Sequence, residues 1–207
     1  MPDASGTVVV VDDDASVRAS LQDLLEAVGL QVLTFGSVPD FLATPRPETP
    51  CCLVLDVRLP GRGGLDLQDE LSRSGAPLPV VFITGHGDIP MSVRAMKLGA
   101  VEFLTKPFRE QDLLDAIQIG LEQDRVRREE LVLEAGLRGR LDSLTQRERQ
   151  VLSLVASGKP NKVIAYELSL SEITVKAHRG QMMRKMEARS VADLVRMVDR
   201  LGLRDEA

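Results

Sequence analysis

The chain has no apolar run approaching the roughly 18 residues that span a bilayer. Its amino terminus, Met1-Pro2-Asp3, has no basic region ahead of the first apolar run. Neither a membrane anchor nor a signal peptide is expected. Cysteine is nearly absent. The two present, Cys51 and Cys52, are adjacent and poorly placed to staple anything, which favours a reducing cytoplasm and excludes a cysteine-built zinc site. Internal repeats and low-complexity segments are missing too. What remains is 207 residues, 43% of them hydrophobic, enough for one large domain or two small ones with real cores.

The net charge of −5 hides an asymmetry. Residues 1–120 carry 9 Lys and Arg against 17 Asp and Glu, whereas residues 141–204 carry 12 against 7. An acidic half joined to a mildly basic half suggests two modules with different partners. The basic half is charged enough to meet nucleic acid, but too weakly for charge alone to establish it.

The stretch that organises the first half is Cys52-Leu53-Val54-Leu55-Asp56, followed by Val57-Arg58-Leu59-Pro60-Gly61. A short apolar run closed by a turn reads as a buried strand of a parallel sheet, with Asp56 at its carboxyl end. Taken alone, Asp56 is equally readable as a turn cap. Other strands are expected over Thr7–Val11, Gln31–Phe35, Pro79–Thr84 and Val101–Leu104, with helices between them marked by apolar residues at helical spacing. Strands alternating with helices predict an α/β, doubly wound, parallel five-stranded sheet. Four of the strands end in residues able to do chemistry: Asp12 and Asp13, Asp56, Thr84 and Lys106. In a parallel sheet these ends share one edge, where such folds bind ligands.

Three carboxylates at adjacent strand ends repel one another unless a cation neutralises them. A hard divalent ion with oxygen ligands, most simply Mg²⁺, is the natural solution, and it suits phosphoryl chemistry. Lys106 can pair with a carboxylate or a phosphoryl oxygen, and the Thr84 hydroxyl can donate to the same oxygen. Carboxylates are known to act as nucleophiles that form aspartyl phosphates.

The motifs VVVVDDD, LVLDVRLPGRGG, VVFITGHGD and EFLTKPF, in that order over roughly residues 5–122, resemble the flavodoxin-like receiver domain of bacterial two-component response regulators. The resemblance implies that Asp56 is the phospho-acceptor for a sensor histidine kinase. It implies that Asp12, Asp13, Asp56 and the backbone carbonyl of Arg58 hold Mg²⁺, and that Thr84 and Lys106 contact the phosphoryl group. Phe103 matches an aromatic switch residue, its alternative being an ordinary core position. A rival reading takes Asp12-Asp13-Asp14-Ala15-Ser16 as the nucleophile loop of a haloacid-dehalogenase-type phosphatase. That reading leaves Asp56 unexplained, has no use for residues 141–207, and lacks a second acidic pair near the fourth strand, where only Asp88 stands.

Residues 122–142 alternate in charge sign and read as a solvent-facing helix that extends the preceding one, with Gly136 and Gly139 weakening its second half. Whether this is a rigid spacer or a flexible tether stays open. From Leu144 the pattern is all helical. Thr145 and Glu148 form a capping box, Asn161–Leu168 a short helix, and Glu172–Met186 a longer one whose one side is apolar (Val175, His178, Met182, Met186) and whose other is basic (Lys176, Arg179, Gly180, Arg184). Ser190 caps a fourth helix. A basic face after a tight turn suits a helix-turn-helix, although a solvated face on a helical bundle would look similar.

Over roughly residues 141–204, LTQRERQVLSLVASGKPNKVIAYELSLSEITVKAHRGQMMRKM resembles the LuxR/FixJ-type helix-turn-helix domain. This implies an all-α four-helix DNA-binding domain recognising double-stranded promoter DNA. Lys176, Ala177 and Gly180 match base-facing positions, and Lys162, Thr174, His178, Arg179 and Arg184 become phosphate contacts. Gly180 departs from the polar residue often found there. The family's last helix commonly forms a dimer contact, here Val191, Leu194, Val195 and Val198, which could equally pack inside the module.

The whole chain resembles a FixJ-class response regulator. The expected organisation is a receiver over 1–121, a helical linker over 122–140 and the helix-turn-helix domain over 141–207. The expected protein is a cytoplasmic transcriptional regulator rather than an enzyme. Phosphorylation would make it a DNA-binding homodimer. A constitutive DNA binder with a vestigial receiver is the second hypothesis, and the complete set Asp12, Asp13, Asp56, Thr84 and Lys106 argues against it.

Overall fold

The computed structural model describes residues 6–61, 63–73 and 77–203. Residues 1–5 of the expected receiver, Arg62 of its Pro-Gly loop and residues 204–207 of the expected helix-turn-helix domain lie outside the described residues. The chain divides into two compact units after Arg128.

The first unit holds five strands, β1 (Thr7–Val11), β2 (Gln31–Phe35), β3 (Cys51–Asp56), β4 (Val80–Thr84) and β5 (Glu102–Thr105). They alternate with α1 (Ala15–Ala27), α2 (Val38–Ala43), α3 (Gly64–Arg73), α4 (Ile89–Lys97) and α5 (Glu110–Asp142). Every strand pair is parallel, in the order β2-β1-β3-β4-β5. This is the flavodoxin-like order, in which the strand order reverses at β1 and β3, the topological switch point, while all strands stay parallel. β5 begins at Glu102, one residue later than its apolar run suggests, and Val101 just before it donates its N–H to the Val80 carbonyl.

Alternation along the central strands splits the core into two layers. Val9, Val11, Leu53, Leu55 and Phe82 face one side and pack with Val38, Phe41, Leu65, Leu67, Leu71 and Ala95 of α2, α3 and α4. Val8, Val10, Cys52, Val54, Val81 and Ile83 face the other and pack with Leu21, Leu25, Leu113, Ala116 and Ile117 of α1 and α5. Strands buried on both faces explain why these runs are continuously apolar. Burial pushes the Cys51 thiol up to about 12, with the Asp124 carboxylate adding to it, so this thiol is inert.

The second unit contains the end of α5 together with α6 (Gln146–Ala156), α7 (Asn161–Leu168), α8 (Glu172–Lys185) and α9 (Val191–Arg200). The Thr145–Glu148 capping box forms as expected, and Ser171 and Ser190 cap α8 and α9. Its core gathers Val151, Leu152, Val155, Ile164, Val175, Met182, Met186, Leu194 and Val198. This corrects half of the expected dimer contact. Leu194 and Val198 are buried inside this unit, while Val191 and Val195 are half-buried. A face that supplies a small core must turn its central apolar residues inward.

A second difference lies at the start of the charged stretch. The helix continues without a break from Glu110 to Asp142, and Gly136 and Gly139 do not interrupt it. Residues 122–128 are not all solvent-facing. Asp124 is fully buried. Its Oδ2 accepts from the Cys51 N–H (2.9 Å) and from Arg128 Nε (2.6 Å), and its Oδ1 from Arg127 Nε (3.1 Å). Arg128 also donates to the carbonyls of Glu48 (2.7 Å) and Pro47 (2.9 Å). The cluster ties α5 to the start of β3.

Burial alone would raise the Asp124 pKa, but the two guanidinium groups and the Cys51 N–H outweigh it and hold the carboxyl below its ordinary 3.8. A depressed carboxylate contributes stability that is complete above the unfolded value and is lost as pH falls through the folded one. Asp124→Asn should therefore cost about 3–5 kcal/mol at neutral pH, as when one member of a buried ion pair is removed. The gap between wild type and variant should narrow below about pH 4. Urea denaturation at both pH values measures this, and a gap independent of pH would refute it.

Candidate functional site

The carboxyl edge of the sheet collects the residues that the sequence marks. Asp12 follows β1, Asp56 ends β3, Thr84 ends β4 and Lys106 follows β5. Asp12 and Thr84 are fully buried and Asp56 nearly so, whereas Asp13 is exposed. Asp12, Asp13 and Asp56 each offer a carboxylate oxygen within 4.8 Å of the others, a grouping able to hold a metal ion.

Lys106 Nζ donates to Asp12 Oδ2 (2.6 Å) and to Asp56 Oδ2 (3.0 Å). Burial would lower the Lys106 pKa, but the hydrogen bonds and charges of the two carboxylates raise it above its ordinary value. The Lys106 backbone N–H bonds the Thr84 carbonyl at 2.7 Å, so the β4–β5 ladder itself aims this side chain. One ammonium against three carboxylates leaves the edge short of positive charge. An all-oxygen donor set with that deficit fits a hard divalent cation.

Asp56 satisfies both readings of its sequence context. Its Oδ1 accepts from the Arg58 N–H at 2.9 Å, the turn-capping bond, while its Oδ2 faces Lys106. Asp12 is more tightly held. Its Oδ1 accepts from the Asp14 N–H (2.9 Å), its backbone N–H bonds the Phe35 carbonyl (3.2 Å), and its own carbonyl accepts from Arg18 (2.6 Å). Asp14, third in the acidic run, is the N-cap of α1 and accepts from the Ser16 and Val17 N–H groups, which hold its carboxyl below the ordinary range.

Two glycines close around this edge, each inside a quoted motif (LVLDVRLPGRGG and VVFITGHGD) but given no role of its own there. A Cβ on Gly64 would stand 2.4 Å from the Asp56 carbonyl oxygen, so no side chain fits where α3 starts behind the acceptor strand. A Cβ on Gly87 would meet Phe103 Cε1 and Thr105 Cγ2 at 2.9 Å and Thr84 Cγ2 at 3.1 Å. Thr84 and Phe103 therefore converge on Gly87. Phe103 is half-buried against the first core layer, its ring 6.3 Å from that of Phe82.

In the second unit, Lys162, Lys176, Ala177, Gly180 and Arg184 are exposed, and Thr174, His178 and Arg179 are half-buried. Lys176, Ala177 and Gly180 lie on the part of α8 turned away from buried Val175 and Met182. Arg179 is already engaged, donating to Asn161 Oδ1 at 2.8 Å and so tying α8 to the start of α7. The end of α8 is held by Lys185, whose ammonium bonds Glu148 Oε2 (2.7 Å) and the Ser143 carbonyl (3.1 Å). Lys185 also keeps the Glu148 carboxyl below its ordinary range. The sequence identified Glu148 only as part of a capping box; its ion pair with a residue 37 positions away has no local signature.

Lys106→Met should lower the unfolding free energy by about 3–5 kcal/mol near neutral pH, because it strands two buried carboxylates. Urea denaturation without divalent ions reads this directly, and unchanged stability would mean that the ammonium is not what holds Asp12 and Asp56 together.

Comparison with known proteins gives the same division of labour. A family model described as the response regulator receiver domain matches residues 8–118. A second, described as bacterial regulatory proteins of the luxR family, matches residues 142–198. The chain is 55% identical over 196 residues to nodulation protein W of Bradyrhizobium diazoefficiens, covering 95% of this chain and 86% of that protein. It is 45% identical over 192 residues to the transcriptional regulatory protein FixJ of Azorhizobium caulinodans, covering 92% and 90%. Among solved structures, the response regulator StyR superposes with a TM-score of 0.84 at 52% identity, covering 95% of this chain and 99% of that one. Full-length FixJ from B. japonicum gives 0.57 at 39% identity, covering 96% and 98%. These matches overturn the phosphatase reading of the first acidic run, and they explain why one chain joins an acidic strand-end site to a helical unit with a basic face: it belongs to the response regulators that couple a receiver domain to a LuxR-family DNA-binding domain.

Proposed function

We propose that Asp56 accepts a phosphoryl group from a sensor histidine kinase, and that its charge state sets promoter binding by the helix-turn-helix domain as a homodimer in the cytoplasm. The observation that carries this reading is the Lys106 ammonium held between Asp12 and Asp56, with exposed Asp13 beside them. An Asp56 carboxylate oxygen attacks phosphorus and forms the O–P bond. The P–N bond to the kinase histidine breaks, and its electron pair returns to the imidazole. Lys106 turns from Asp56 to the incoming phosphoryl oxygens, and the Thr84 hydroxyl donates to one of them. Asp12, Asp13, Asp56 and the Arg58 carbonyl would hold Mg²⁺, which when bound neutralises charge on the carboxylates and the phosphoryl group.

The new group carries nearly two negative charges. Drawing Thr84 toward it opens space beside Gly87, and the Phe103 ring moves into that space. The face built by α4, β5 and α5 changes shape in consequence. In the second unit, Lys176, Ala177 and Gly180 face bases, while Lys162, Thr174, His178, Arg179 and Arg184 serve phosphates or their positioning. Val191 and Val195 remain as the apolar contribution of α9 to a dimer. Residues 1–121 act as receiver, 122–140 as the connecting helix and 141–207 as the DNA-binding domain.

Phosphotransfer from a small phosphodonor with Mg²⁺ should label wild type and leave Asp56→Asn unlabelled. DNA affinity and dimer formation should rise only in the labelled protein. Equal labelling of the variant, or labelling with no change in DNA binding, would refute the proposal. Lys162→Ala should weaken binding uniformly across DNA sequences and reduce the slope of log affinity against log salt by about 1.

A further inference from the structure

Three of Asp12's four polar groups are fixed by partners that follow from the fold. Lys106 reaches Oδ2, the Asp14 N–H reaches Oδ1, and the Asp12 N–H extends the β1–β2 ladder to Phe35. The fourth, the carbonyl, belongs to the peptide that joins Asp12 to Asp13. Arg18 donates to it at 2.6 Å from α1. The base of the Arg18 stem is rigid, because the Arg18 N–H closes the first turn of α1 on the Asp14 carbonyl at 3.1 Å. The guanidinium runs past Gly36, where an added Cβ would lie 3.5 Å from NH1 and 3.6 Å from Cζ. Arg18 thus spans from α1 across the end of β2 to the Asp12–Asp13 peptide.

The planar peptide transmits that bond. Fixing the Asp12 carbonyl fixes the orientation of the Asp13 backbone. Asp13 needs this more than its neighbours do, since its carboxylate is exposed and has no hydrogen-bond partner among the described residues. Asp12 and Asp56 are held by side-chain bonds of their own.

We infer that Arg18 is a positioning residue for divalent-cation binding: by clamping the Asp12–Asp13 peptide it presents the Asp13 carboxylate beside those of Asp12 and Asp56. This rests on the reading that these three carboxylates hold Mg²⁺. The role runs against the charge of Arg18, since a guanidinium near a cation site repels the cation. Removing Arg18 therefore gives opposite results under the two effects. If charge alone matters, Mg²⁺ binds more tightly without it; if the clamp matters, Mg²⁺ binds more weakly.

The experiment is calorimetric titration of Mg²⁺ into the full chain, which has no tryptophan to report binding by fluorescence. Arg18→Met should weaken Mg²⁺ binding by about tenfold or more, the usual cost of losing an outer-shell partner of a metal site. Arg18→Lys, which retains the charge and one donor on a long stem, should recover most of that loss. If Arg18→Met does not fold, as judged by thermal unfolding without metal, Arg18→Gln is read in the same way. An affinity equal to or tighter than wild type in the Met or Gln variant overturns the inference while leaving the metal reading intact. Absence of Mg²⁺ binding by wild type overturns both.

Discussion

The Lys106 ammonium is shared between Asp12 and Asp56, and the first unit is arranged so that this sharing is possible. Neighbouring parallel strands lie about 4.8 Å apart, which puts β5 about 10 Å from β3 and about 14 Å from β1. Only a long, flexible stem based at the end of β5 can bring one charge to both carboxylates. The strand between, β4, ends in Thr84, fully buried. The backbone bond from Lys106 N–H to the Thr84 carbonyl sets where the stem begins. Strand order, the backbone bond to the end of β4 and the length of the lysine are thus parts of one constraint.

That constraint leaves charge unbalanced, and the imbalance is useful. Buried ion pairs are weak contributors to stability even when complete, because desolvation offsets most of the attraction. Here one cation serves two buried carboxylates with a third beside them. A site arranged only for stability would put apolar residues at these strand ends. Its polarity makes sense where charge arrives and departs, as the proposed phosphoryl transfer to Asp56 requires. The reading that Asp56 accepts that group rests on this physical economy, and family membership gives the acceptor a DNA-binding output on the same chain.

The parallel sheet was legible because β1, β3 and β4 are buried on both faces and so read as unbroken apolar runs, each closed by a polar residue. The caps at Thr145 and Ser190 were legible because a cap is a local pattern. Contacts between distant positions were not. Asp124 stands in a run of alternating charge and reads as solvated, yet its carboxylate meets the backbone of Cys51, 73 residues earlier. Arg18 lies six residues past Asp12 and nothing in the sequence singles it out, yet it holds the Asp12 carbonyl. Leu194 and Val198 posed a different difficulty. An apolar helix face reads the same whether a neighbour in its own unit or a second copy covers it, and only the packed core told them apart from Val191 and Val195.

The charged stretch after residue 121 was open to two readings, rigid spacer or loose tether, and the energetics of α5 divide it between them. Its early part is pinned within the first unit by the Asp124 cluster. Its last turn is tied within the second unit by Arg140 to Glu187 at 2.7 Å, and by Arg149 to Asp142 at 3.1 Å. Between these anchors lies the Glu134–Arg138 pair at 3.0 Å, of a kind worth about 0.3–0.5 kcal/mol when exposed. Leu131, Val132 and Leu133 are exposed there, and Gly136 and Gly139 stand in open space. Each of those glycines costs the helix about 1 kcal/mol relative to alanine. Local stability along α5 is therefore lowest around residues 130–139.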